Sequence, residues 1–304
     1  MFLTQIKNYT RTEFWRYLVG SLIIIGFSFL GQVPITLGWI LKEGYEGMQN
    51  TLQSELMQIL EPNTTLFLIM LSFVFALVGI VIVLKKIHHQ DFKTIVTARS
   101  KVDWKRILFS FLIFGSFVVV STYLGYKSNP EDFVWNFKLG PFLGLLAIGI
   151  IMIPIQTSVE EFIFRGYLMQ GFAKLGKNRF FALMMTSVIF GGLHIANPEV
   201  QELGYITMVF YISTGLFLGI LTLMDDGTEL ALGFHAANNL ITALLVTSDW
   251  TALQTNSVLK DITEQPSVGV EVLMPVVVIY PILILIFAKR YNWTNWKQRL
   301  FGSL

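Results

Sequence analysis

Residues 140–173 read GPFLGLLAIGIIMIPIQTSVEEFIFRGYLMQGFA, an apolar stretch interrupted by Ser158, Glu160, Glu161 and Arg165. A bilayer core about 30 Å thick takes about 20 apolar residues per spanning helix. As one helix these 34 residues would run about 51 Å at about 1.5 Å per residue. The spacing therefore predicts interfacial or broken ends, with Pro154 as the bend and Glu160 below the membrane surface. An ionisable group inside a membrane helix costs about 2.5 to 3.5 kcal/mol on insertion scales, so these charges need a reason. Glu161 and Arg165 are four apart and share a helix face, while Glu160 points about 100° away. One carboxylate can then be tethered while the other stays free. The plainer alternative is a helix end whose charges mark the membrane surface, with Arg165 and Lys174 reaching lipid phosphates.

The rest of the chain fits a lipid environment. Of 304 residues, 54% are hydrophobic and 14% charged, and the mean hydropathy is +0.61, too little polar surface to coat a soluble globule of this size. Eight apolar runs emerge, at about residues 17–41, 66–84, 107–125, 140–159, 180–195, 205–224, 230–247 and 272–288. The first follows Lys7, Arg11 and Arg16 without a small-residue cleavage site and reads as a retained helix, kinked at Pro34. Lys85, Lys86, Lys93, Arg99, Lys101, Lys105 and Arg106 follow the second run, and Lys289, Arg290, Lys297 and Arg299 follow the eighth. Cytoplasmic loops collect such residues.

The expected fold is thus all-α: a multi-pass bundle in the cell membrane with about eight transmembrane helices and both termini cytoplasmic. It forms one integral membrane domain over 1–304, with catalytic helices at about 140–247. One pattern strains the count, since Asp225, Asp226 and Glu229 fall on the cytoplasmic side without a basic residue beside them; acidic residues influence orientation little. A net charge of +2 with no basic and aromatic ladder argues against nucleic acid. With no cysteine the chain has no disulfide framework, thiol nucleophile or cysteine metal ligand.

Four histidines remain to be read. His88 and His89 sit in the basic loop and are expected to be solvated. His194 and His235 lie in or near the fifth and seventh apolar runs, and His235 and Asn239 are one turn apart on one face. Gly191, Gly192, Ala236 and Ala237 allow close approach of helices or of a substrate backbone. Either imidazole alone is equally well explained as interhelical hydrogen-bonding glue.

Two carboxylates, two imidazoles and one carboxamide suggest activated water rather than a covalent intermediate. A buried Glu can take a proton from water, a neutral His can orient that water or bind a metal, and Asn239 with a histidine donor can stabilise an oxyanion. The chain has no His-Glu-x-x-His zinc helix, no Gly-x-Ser-Gly serine motif and no Gly-x-Gly-Asp aspartyl motif.

Glu160-Glu161-x-x-x-Arg165, Phe190-x-x-x-His194 and His235-x-x-x-Asn239, in that order, resemble the three motifs of the CAAX prenyl endopeptidase and bacteriocin-processing (Abi) family of intramembrane glutamic or metallo-proteases. The resemblance spans residues 160–239 and does not reach the first 140. It implies an intramembrane endopeptidase that hydrolyses a peptide or protein tail, in peptide maturation or bacteriocin immunity. Glu160 would be the water-activating base, Glu161 and Arg165 its supporting pair, His194 and His235 the groups that position water or a metal, and Asn239 the oxyanion donor. Glu160, His194 and His235 make a ligand set that suits zinc, although a glutamate and histidine site also hydrolyses peptides without it. A noncatalytic binding or scaffolding protein of the same fold and a proton-coupled transporter are the competing readings; against transport, no inverted repeat or paired broken helices are visible.

Overall fold

A computed structural model of the chain describes residues 1–51, 53–263 and 270–304. The helices are α1 (Phe14–Asn50), α2 (Gln53–Leu56), α3 (Pro62–Ile82), α4 (Trp104–Ser128), α5 (Leu139–Glu161), α6 (Met169–Gly176), α7 (Arg179–Gly192), α8 (Pro198–Leu203), α9 (Thr207–Asp225), α10 (Glu229–Leu245), α11 (Val270–Met274), α12 (Tyr280–Arg290) and α13 (Trp296–Phe301). Wider π-helical turns at Val83–His88, Phe162–Leu168 and Pro275–Ile279 extend α3, join α5 to α6 and join α11 to α12.

Among the described residues six helical stretches are long and apolar enough to cross a membrane: Phe14–Asn50, Pro62–His88, Trp104–Ser128, Leu139–Gly176, Thr207–Asp225 and Val272–Arg290. The runs at 180–195 and 230–247 form the shorter α7, 14 residues, and α10, 17 residues. Leu22, Leu41, Ile151 and Leu285 project outward, as lipid contact requires. The chain is a multi-pass membrane protein.

Helix ends follow their caps. Glu61 accepts the Thr64 amide at 3.0 Å with Pro62 in the first helical turn, a favourable start. In α1 Gly44 leaves helical dihedral space at φ 74°, a region glycine takes without strain, and Pro34 lies within the helix. Pro154, the expected bend, likewise lies inside α5. The helix runs on through it, and the irregularity falls at Phe162–Leu168, directly after the paired glutamates.

One face gathers the basic loops. Arg99 binds Glu229 and Asp225, both at 3.0 Å, Arg106 binds Asp225, and Arg299 binds Asp226 at 2.8 Å. The acidic turn that lacked basic neighbours in sequence receives them from two distant segments. Phe2 donates its amide to Asp226 at 2.9 Å, so the N-terminus, the 89–103 loop, the 225–229 turn and the C-terminal helix share this face. On the other, three-residue strands β1 (Phe133–Trp135), β2 (Val246–Ser248) and β3 (Leu259–Asp261) form a sheet in the order β1-β3-β2, a small β element that the all-α reading does not anticipate.

His88 corrects an expectation. It is 1% exposed, its Nδ1 donating to the Arg11 carbonyl at 2.8 Å and its Nε2 3.0 Å from the Tyr167 hydroxyl. The π turn at Val83–His88 rotates it inward, while His89 stays exposed in the left-handed region at φ 51°.

The α1 and α3 helices meet backbone to backbone. A Cβ on Gly31 would lie 2.6 Å from Ser72 Cα and 2.7 Å from the Leu71 carbonyl, so the helices would have to part. Gly31→Ala is expected to destabilise by about 1–3 kcal/mol, read as a lower unfolding midpoint in detergent. Gly26→Ala on the same helix meets open space and leaves the midpoint unchanged or raised.

Candidate active site

α10 packs against α4, α5 and α9, and α7 packs against α9. This brings the end of α5, the π turn after it and one face of α10 together. Glu161 is fully buried and Arg165 is 1% exposed. The guanidinium donates to Glu161 Oε1 at 3.1 Å and to the Gly215 carbonyl of α9 at 3.2 Å, and it lies 4.3 Å over the Phe190 ring. Two charges this deep persist only as a pair with further hydrogen bonds.

His235 completes the buried group. Its Nδ1 lies 2.8 Å from Glu161 Oε1. A carboxylate held by a guanidinium can only accept, so Nδ1 carries the proton and Nε2 is the nitrogen that faces Glu160. Glu160 Oε2 stands 3.5 Å from Nε2, beyond hydrogen-bond length. Its other oxygen, Oε1, accepts from Gln156 Nε2 at 2.6 Å. The Glu160 side chain keeps 16% exposure. One carboxylate is therefore tethered and the other is reachable, the division that the helical spacing predicts.

Asn239 lies one turn after His235, donating Nδ2 to Gln156 Oε1 at 3.0 Å and accepting Asn238 Nδ2 on its own Oδ1 at 2.9 Å. Gln156 is a residue the sequence reading missed. Its signal was available: it is the one amide side chain in the apolar run from Leu139 to Thr157, and it stands four residues before Glu160.

His194 is placed differently. α7 ends at Gly192, and His194 sits half-buried in the turn beyond it. Nδ1 donates to the Phe190 carbonyl at 2.8 Å, leaving Nε2 as the acceptor of the neutral ring. The imidazole stacks on Tyr211 with centroids 4.3 Å apart. Phe190 neighbours both imidazoles, 4.9 Å from His194 and 6.2 Å from His235. Among the described residues no three His, Cys, Asp or Glu side chains are grouped to hold a metal ion. Glu160, His194 and His235, the set the resemblance offers for zinc, are not gathered as such a group.

Glu199 of α8 adjoins this edge. Its Oε1 accepts the Ala252 amide at 2.8 Å, while Oε2 is buried without a partner. Burial raises its carboxyl above the usual range, against the opposing pull of the Ala252 hydrogen bond and of His194. A raised folded-state carboxyl adds stability at acid pH that is lost as pH climbs through the raised value. Glu199→Gln is therefore expected to match the native protein at low pH and to exceed it in stability above that range, measured as unfolding midpoint against pH.

A family model described as type II CAAX prenyl endopeptidase Rce1-like matches residues 142–241, from the first turn of α5 to within the last turns of α10. The chain is also similar to the uncharacterized protein YyaK of Bacillus subtilis, at 30% identity over 234 residues, covering 77% of this chain and 78% of that relative. No solved structure matches it.

Proposed function

Because this chain belongs to the Rce1-like, type II CAAX prenyl endopeptidase family, we propose that it is an intramembrane endopeptidase that cleaves a peptide or protein tail with water activated by Glu160. The observation that carries this reading is the division of labour in the buried group. Arg165 and His235 tether Glu161, while Glu160 keeps Oε2 beside His235 Nε2.

In the proposed cycle Glu160 Oε2 takes a proton from water as the new hydroxide attacks the scissile carbonyl carbon. A C–O bond forms and the carbonyl electrons move to oxygen. The second Nδ2 hydrogen of Asn239 donates to that oxyanion, a donor worth about 10²–10³ in rate where one has been removed elsewhere. Glu160 then gives its proton to the leaving nitrogen as the C–N bond breaks. His235, held by Glu161 in the tautomer with Nδ1 protonated, accepts the second hydrogen of that water on Nε2 and so orients it. The cleavage is proposed to serve peptide maturation or bacteriocin immunity. The basic face is proposed to be cytoplasmic, which puts both termini inside the cell.

Expression-matched native protein, Glu160→Ala and His235→Ala in proteoliposomes separate the readings. Cleavage by the native protein alone supports catalysis. Biological function retained by both variants would indicate a noncatalytic scaffold, and proton-coupled flux a transporter.

A further inference from the structure

We propose that Gln156 is a positioning residue that couples the water-activating carboxylate to the oxyanion donor, an inference that rests on the endopeptidase reading above. Four side chains form a directed relay: Asn238 Nδ2 to Asn239 Oδ1 at 2.9 Å, Asn239 Nδ2 to Gln156 Oε1 at 3.0 Å, and Gln156 Nε2 to Glu160 Oε1 at 2.6 Å. The direction is dictated at its last member. An ionised carboxylate can only accept, so Gln156 must turn its NH₂ towards Glu160. Its carbonyl oxygen then faces α10, and Asn239 must present NH₂ to it. Asn238 in turn donates to the remaining Asn239 oxygen.

Two consequences follow from the geometry. Gln156 occupies Glu160 Oε1, so Oε2, beside His235 Nε2, becomes the oxygen available to water. Gln156 also consumes one Nδ2 hydrogen of Asn239 and fixes the amide plane, so the second hydrogen has a set direction. Gln156 touches neither water nor the scissile bond in this scheme; it aligns the two groups that do. Its burial, at 6% exposure, supports the role. A carboxamide in an apolar membrane helix is retained where both its ends are satisfied, and here one end reaches the base and the other the oxyanion donor. The hydrogen bond to a carboxylate is of the stronger, charge-assisted kind.

The test uses the full-length protein in proteoliposomes and a synthetic copy of the peptide whose processing in membranes depends on Glu160. Gln156→Met keeps the side-chain length and removes both hydrogen bonds. It is expected to lower kcat per folded molecule by about 10²-fold, the scale of a misaligned reacting group, with KM within about twofold because uniform binding is untouched. Asn239→Ala added to Gln156→Met is expected to cost much less than Asn239→Ala alone, since both break one relay. Gln156→Glu accepts from Asn239 but has no N–H for Glu160, and should lose kcat similarly; it carries the test if Gln156→Met does not fold.

A merely structural role predicts a smaller folded fraction, native kcat in what folds, and additive losses with Asn239→Ala. That result overturns the proposal and leaves the endopeptidase reading intact. If no peptide depends on Glu160, the endopeptidase reading falls and the coupling role falls with it.

Discussion

Glu160→Gln is expected to lower kcat by about 10³-fold, within the 10²–10⁴ that a positioned general base contributes, while expression, membrane insertion and KM stay near native. The substitution is nearly isosteric. The Gln156 N–H that now meets Glu160 Oε1 at 2.6 Å can still meet a carboxamide oxygen, so the relay survives and the side chain stays in place. What disappears is an oxygen that can accept and hold a proton beside His235 Nε2. Steady-state kinetics on a Glu160-dependent peptide check this. An effect confined to KM would mean that Glu160 binds substrate and does not activate water.

Arg165→Met is expected to be the most destabilising single change near the site, by about 3–5 kcal/mol, the penalty for leaving one member of a buried ion pair alone. Glu161 is fully buried, its Oε2 already lacks a partner, and loss of the guanidinium would leave His235 as the one group on Oε1. The buried carboxylate would keep no cationic partner, and its hold on His235 Nδ1 would loosen. Activity is therefore expected to fall along with the unfolding midpoint in detergent. Arg165→Lys should rescue little of either. The guanidinium reaches Glu161 and the Gly215 carbonyl through two different nitrogens, a fork that a single ammonium does not reproduce.

The outline of the site was legible because two of its pairings are local. Glu161 with Arg165 and His235 with Asn239 follow from helical period, the cost of charge in lipid drew notice to the segment that holds Glu160, and the resemblance set Glu160 apart as the base. Less legible was whatever depends on which helix neighbours which. Arg99 and Arg299 neutralise Asp225, Glu229 and Asp226 from segments 73 or more residues away, so the acidic turn looked unsupported when only its own loop was read. His88 was read by its basic neighbours, and a single π turn reversed its exposure. His194 was assigned to a helix that ends two residues earlier. Gln156 escaped because one amide in an apolar run carries no charge to draw notice, and its meaning appears only when Asn239 arrives from α10.

The most direct measurement compares membrane peptidomes of cells carrying the native protein and Glu160→Gln at equal abundance. The account predicts at least one peptide or protein tail that is cleaved only where Glu160 is present, its uncleaved precursor accumulating in the variant. Identical peptidomes, with the biological function of the protein intact in Glu160→Gln, would contradict it.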